Sequence, residues 1–192
     1  GDSAIYSGYL LAAMAFAYGS TGDPLAASTA LLLANSIRRC LDVGSSGQYQ
    51  IGAEPFVGPT LPDNARGRLV RYTAKPEDLF QGETLYATYY EERSLTKNRP
   101  MATAVIDGQL WYGHPKATSR DQYIGVVYGL AFAHALIDDP QVKAVTQECL
   151  KRILNYLVYQ NWNIDQPDGS FSATFAIAYP HVVAFALAGR EA

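Results

Sequence analysis

An internal repeat constrains this chain more than any other feature. Ala-Phe-Ala occurs three times, at Ala15-Phe16-Ala17, Ala131-Phe132-Ala133 and Ala184-Phe185-Ala186. The first two copies are followed by acidic proline turns, Gly22-Asp23-Pro24 and Asp138-Asp139-Pro140. Phe16 aligns with Phe132 and Pro24 with Pro140 at one offset, 116 residues, and the same offset pairs Ile37 with Ile153 and Leu41 with Leu157. A tripeptide match alone is weak. Several matches at one offset, spread over two helical patterns and a turn, argue a duplicated supersecondary unit.

Each full copy reads as a helical hairpin. The first helix of the pair, Ile5 to Tyr18 and Tyr123 to Leu136, is apolar all round, which predicts burial on most faces. Gly8, Gly125 and Gly129 fall inside these helices, where glycine is costly, so close backbone approach is the expected reason for them. The second helix is amphipathic. Ala26, Ala30, Leu33, Ile37 and Leu41 form one stripe, and Val142, Val145, Cys149, Ile153 and Leu157 form its counterpart. The pattern predicts a single domain over residues 1–192, mainly α. Hairpin one spans residues 1–42 and hairpin two spans 119–160. Residues 171–189 read as the inner helix of a third hairpin whose outer helix does not follow.

Residues 43–118 break the rhythm and read as a long insertion. Glycine and proline recur through its first half. Asp107-Gly108 separates two apolar runs, which is a small β-hairpin signal. A short helix is expected near Glu83 to Glu91. Glu54, Glu83, Glu91 and Glu92 then form a solvated acidic set, or Tyr89 or Tyr90, beside Tyr86, reaches a pocket. Insertions this long in compact domains are usually functional.

Composition narrows the function classes. A net charge of −3 gives no basic footprint for nucleic acid or an anionic membrane surface. The apolar stretch Tyr123 to Ile137 is shorter than the ~20 residues that span a bilayer. Only 17% of residues are charged while 14 are tyrosines, which fits uncharged polar walls around a pocket. Cys40 and Cys149 lack CxxC or Cys/His spacing, so no metal site and no cofactor is expected. Both read as buried thiols, with a bridge across helices as the alternative.

The run Thr118-Ser119-Arg120-Asp121-Gln122-Tyr123-Ile124-Gly125-Val126-Val127-Tyr128-Gly129-Leu130 is the most informative stretch. It resembles a pattern in the six-hairpin glycosidases, nearest to the unsaturated glucuronyl hydrolases. Ser119, Arg120, Gln122, Tyr128 and Gly129 match, and Asp121 stands where that pattern has glycine. The resemblance covers residues 2–42 and 119–189 and leaves out the insertion. It implies a partial (α/α) toroid, in which inner helices ring a pocket, and a carbohydrate-active enzyme. In the resembling hydrolases, inner-helix aspartates at the pocket act as acid and base. Asp121 and Asp2 are the corresponding candidates here.

The residues also support a reading of their own. Arg120 and Gln122 open a buried helix, whose N-terminus favours an anion, and arginine adds a bidentate fork for a carboxylate. The alternative for Arg120 is a structural ion pair. Asp2 and Asp121 serve equally well as helix N-caps. Trp111, Tyr112 and Tyr123 are stacking candidates for a sugar ring, and His114 is a third acid/base candidate. A packed hairpin edge is their structural alternative. His134 and His181 read as core residues, and Asp165 and Asp168 as part of a turn.

Two functions follow as expectations. One is an enzyme that hydrolyses or otherwise processes an oligosaccharide, with uronic-acid glycans among its substrates. The other is a non-catalytic helical-repeat module that binds a glycan or a protein. The implied partners are a carbohydrate ligand and, for the unpaired third helix, a second copy or the rest of the toroid.

Overall fold

Two Asp-Pro turns start the outer helices, as the repeat predicts. Asp23 caps α2 (Pro24–Gly44) by accepting the Leu25 N–H at 2.9 Å. Asp139 caps α5 (Pro140–Tyr159) by accepting the N–H groups of Gln141 at 2.8 Å and Val142 at 3.0 Å. Proline at the first helical position forfeits only a donor that would be unpaired anyway. The inner helices that precede them are α1 (Ser3–Thr21) and α4 (Arg120–Leu136). The computed structural model describes residues 3–51, 54–80, 101–114 and 118–191.

The two hairpins lie side by side with equivalent helices together. Along the α1–α4 contact Gly125 meets Ile5, Phe16 meets Phe132 with ring centroids 4.7 Å apart, and Gly19 meets Leu136. Numbers rise together, so the helices are parallel. Glycine makes this approach achievable. A β-carbon on Gly8 would land on the Gly125 carbonyl, and one on Gly129 would land on the Gly8 carbonyl. The outer helices also align, with Arg38 reaching Glu148 at 3.7 Å and Arg152 reaching Asp42 at 2.7 Å. The repeat mates Ile37 and Ile153, and Leu41 and Leu157, are all buried in one core.

The insertion contains more strand than one hairpin. Strands β1 (Gln48–Ile51), β2 (Glu54–Val57), β3 (Thr73–Ala74), β4 (Met101–Ile106) and β5 (Gln109–Gly113) form an antiparallel sheet in the order β2-β1-β4-β5-β3. The sheet packs on α2. The expected β4–β5 hairpin is present, and its turn residues Asp107 and Gly108 have φ of 52° and 77°, the geometry that favours Asp-Gly. A five-residue helix, α3 (Pro76–Phe80), follows β3. The helix expected near residues 83–91, with Glu83, Glu91, Glu92, Tyr86, Tyr89 and Tyr90, lies outside the described residues.

Two further expectations need correction. The third segment, residues 171–189, is not helical throughout. Residues Phe171–Thr174 are strand β7, which pairs with β6 (Asn163–Asp165), and α6 (Tyr179–Glu191) begins later. Asp168-Gly169 turns this hairpin, with Gly169 at φ 85°. The inner helices are also not covered all round. Tyr6, Tyr9, Leu10 and Phe16 of α1 are exposed, as are Tyr128 and Leu136 of α4. Among the described residues no helix is long and apolar enough to cross a membrane.

Candidate functional site

The N-terminal end of α4 combines two exposed side chains with two locked ones. Arg120 and Asp121 are exposed in the first turn. Gln122 and Tyr123 are buried. The Gln122 side-chain carbonyl accepts the Ile5 N–H at 3.1 Å, and the Arg71 carbonyl accepts the Ala4 N–H at 2.8 Å. These contacts satisfy donors that every helix start leaves open. Gln122 therefore fastens α1 to α4 rather than presenting its amide to a ligand.

Tyr123 is part of the core and is corrected as a stacking candidate. Its hydroxyl accepts the Leu69 N–H at 2.9 Å. Its ring lies parallel to Tyr156, at 6.2 Å between centroids, and edge-on to Phe175. Both faces are withdrawn from solvent, so no sugar ring can lie on them. Burial, followed by the neighbouring Tyr156, pushes its pKa well above the ordinary tyrosine value.

The surface beside Asp121 is aromatic. Tyr9 meets Tyr128 edge-on at 6.1 Å, Tyr128 meets Phe132 at 4.7 Å, and Phe132 meets Phe16 at 4.7 Å. Tyr9 is 46% exposed, Phe16 45% and Tyr128 43%. Asp121 and Tyr128 are seven residues apart, about two turns, so they share one stripe of α4 at ~10.5 Å along the axis. The α1–α4 face thus carries a carboxylate at one end of a row of rings, of which Tyr9, Tyr128 and Phe16 are exposed. The row has a sequence signature, Tyr6-Tyr9-Ala13-Phe16 at helical spacing, which an all-round apolar helix obscures.

The other candidates are not gathered there. Trp111 faces α2, with Arg39 over its ring at 4.0 Å and Lys75 at 5.5 Å. It lines a cavity to which α1 and α4 contribute no residue. Tyr112 packs on Met101 beside Tyr72 and Ala74. His114 is 4% exposed, its ring 4.9 Å from that of Tyr72, and its backbone N–H donates to the Tyr72 carbonyl at 3.1 Å. A ring so covered does not exchange protons with a ligand on the α1–α4 face, which corrects His114 as an acid/base candidate. Asp2 lies outside the described residues. Glu54 is exposed on β2. His134 pairs with Thr146 at 3.2 Å, and the His181 ring lies 6.1 Å from that of Phe175. The Asp168 carboxylate accepts the Ser170 N–H at 2.9 Å, a turn role.

One polar cluster carries no signal in the sequence. Arg68, 2% exposed, donates to Asp165 at 2.7 Å and to the Tyr49 hydroxyl at 2.6 Å. Asp165 also accepts from Gln160 at 3.1 Å and from the Tyr156 hydroxyl. Burial opposes the Arg68 charge, but the Asp165 hydrogen bond and charge outweigh it and raise its pKa. Burial, then the Asp165 charge, raises the Tyr156 pKa. The cluster ties the insertion to β6 and α5. Arg68 and Asp165 lie 97 residues apart, so no local pattern announces the pair.

Among the described residues no group of three or more His, Cys, Asp or Glu side chains could hold a metal ion. No protein-family model, curated protein or solved structure matches this chain.

Proposed function

We propose that this chain is a carbohydrate-active protein of the helical-toroid type, with the α1–α4 face as its sugar-binding wall. The observation that carries this reading is the ring row Tyr9–Tyr128–Phe132–Phe16, in which Tyr9, Tyr128 and Phe16 are exposed, with Asp121 on the same stripe of α4. Aromatic faces stack on the apolar faces of sugar rings, and tyrosine hydroxyls bind sugar hydroxyls. Asp121 is the acid/base group of this reading. As an acid it protonates the leaving glycosidic oxygen, and as a base it takes a proton from the attacking water. Arg120, its neighbour, is the contact for an anionic sugar substituent. Glycoside hydrolysis needs a second carboxyl, and Asp2, one residue before α1, fills that role here. The test is reducing-sugar release from neutral and uronic-acid oligosaccharides by the wild-type chain and by Asp121→Asn. Turnover that falls about a hundredfold or more in the variant supports the acid/base role. Equal turnover rejects it.

A second reading is favoured by α6, where Tyr179, Val183 and Leu187 are exposed apolar residues. In this reading the chain binds a glycan or protein without catalysis. Oligosaccharide binding without turnover, in wild type and variant alike, selects it.

A further inference from the structure

A pocket lies between α2 and the β4–β5 hairpin, and its chemistry differs from that of the α1–α4 face. Trp111 supplies an aromatic surface, and the Arg39 guanidinium lies 4.0 Å from the ring centroid. A guanidinium stacked on a ring keeps its N–H donors in its own plane, available to a partner. The neighbouring charges are already engaged. Arg38 reaches Glu148 at 3.7 Å, Lys75 reaches Glu77 at 3.7 Å, and Asp42 is held by Arg152 at 2.7 Å. Arg39 has no carboxylate or carbonyl partner among the described residues.

The same cavity carries acceptors. Asp107, at the hairpin turn, lines it and has no ion-pair partner among the described residues. Asn35 also lines it and donates its amide N–H to the Leu31 carbonyl at 2.9 Å, which leaves its side-chain oxygen as an acceptor. The cavity volume is about 270 Å3, just below the ~300–1,000 Å3 typical of drug-sized ligand sites. It suits a smaller molecule.

We propose that this cavity binds the carboxylate of a small polar molecule that also carries hydroxyl or ammonium donors. Arg39 takes the carboxylate through its fork, and Asp107 and Asn35 take the donors. Trp111, whose ring lies under Arg39 at 4.0 Å, holds that guanidinium at the cavity wall. Asp107 disfavours a dianion such as phosphate through like charge. The site is independent of the α1–α4 face and does not rest on the activity proposed for it.

The chain has two tryptophans, so a 15N-labelled sample gives two indole N–H resonances, which Trp111→Phe assigns. The probes are sodium gluconate, L-alanine, glucose and inorganic phosphate. A saturable shift of the Trp111 indole with gluconate or alanine, and none with glucose or phosphate at the same concentration, is the expected result. Arg39→Met keeps an apolar stem over Trp111 and weakens that binding about tenfold or more. The Trp162 resonance reports that the variant remains folded. Asp107→Asn suits the positive φ and separates the two ligand sources. It weakens alanine, whose ammonium loses its counter-charge, and spares gluconate. No saturable shift with either carboxylate overturns the proposal. So does an equal shift with glucose or phosphate, or an unchanged titration in Arg39→Met.

Discussion

Gly8 and Gly125 meet backbone against backbone, and neither position has room for a side chain. This contact holds α1 and α4 parallel and so creates the ring row between them. Gly8→Ala would drive a methyl group into the Gly125 carbonyl, and rigid backbone lies on both sides. Overpacking of this kind costs about 3 kcal/mol or more where the neighbours cannot yield. Urea denaturation is expected to show that loss, with α1 and α4 splayed apart and the ring contacts broken. Gly22→Ala tests a different effect. Nothing lies within 4 Å of a β-carbon there, but φ is +69°, so only the strain of the left-handed backbone remains, about 1 kcal/mol.

Arg68 is buried against Asp165, and the pair is costly to break from one side. Asp165→Asn leaves a buried cation without its anion and is expected to cost about 3–5 kcal/mol. The double variant Arg68→Met with Asp165→Asn removes the stranded charge and should recover part of the loss. Chemical denaturation of the two singles and the double closes the cycle. An Asp165→Asn variant with wild-type stability contradicts this picture of the cluster.

The repeat and its consequences are readable because they are local. Asp23 and Asp139 cap helices from a position that sequence spacing alone identifies. Gly8, Gly125 and Gly129 sit in helices where only close packing explains them. The sheet is less readable, since β1, β2 and β3 are two to four residues long and lie among turn formers. The β1–β4 and β3–β5 pairings close over tens of residues, beyond any periodic signal. Tyr123 is ambiguous for a related reason. An aromatic residue at a helix start fits a pocket or a core equally well, and the partners that decide the matter, Leu69 and Tyr156, are far away in sequence. Arg68 gives no warning of its role. An arginine in the run Arg66-Gly67-Arg68 normally faces water, and its counter-ion Asp165 lies beyond the whole second helical hairpin.

Cys40 and Cys149 are free and buried, and burial pushes both thiols up to about 12 from an ordinary 9.0. An unfolded chain releases these protons near pH 9, whereas the folded chain holds them. Between about pH 9 and 12 the unfolded state binds fewer protons, so stability falls as pH rises. Well below that window the thiols add no pH dependence. Tyr123 and Tyr156 are raised in the same direction and steepen the alkaline loss. Urea midpoints measured from about pH 7 to about pH 11 should be level and then decline. Near neutral pH a thiol reagent should leave the folded chain unmodified and label both cysteines in denaturant.

Tyr128 is exposed and joins Tyr9 to Phe132, so sugar binding on the α1–α4 face stands or falls with its ring. The decisive measurement is calorimetric titration of the wild-type chain and of Tyr128→Ala with neutral and uronic-acid oligosaccharides. Saturable binding of at least one oligosaccharide is expected, weakened about tenfold in the variant, whose fold is retained. Binding that is unchanged in Tyr128→Ala, or no binding of any oligosaccharide by the wild type, would contradict a sugar-binding role for this face.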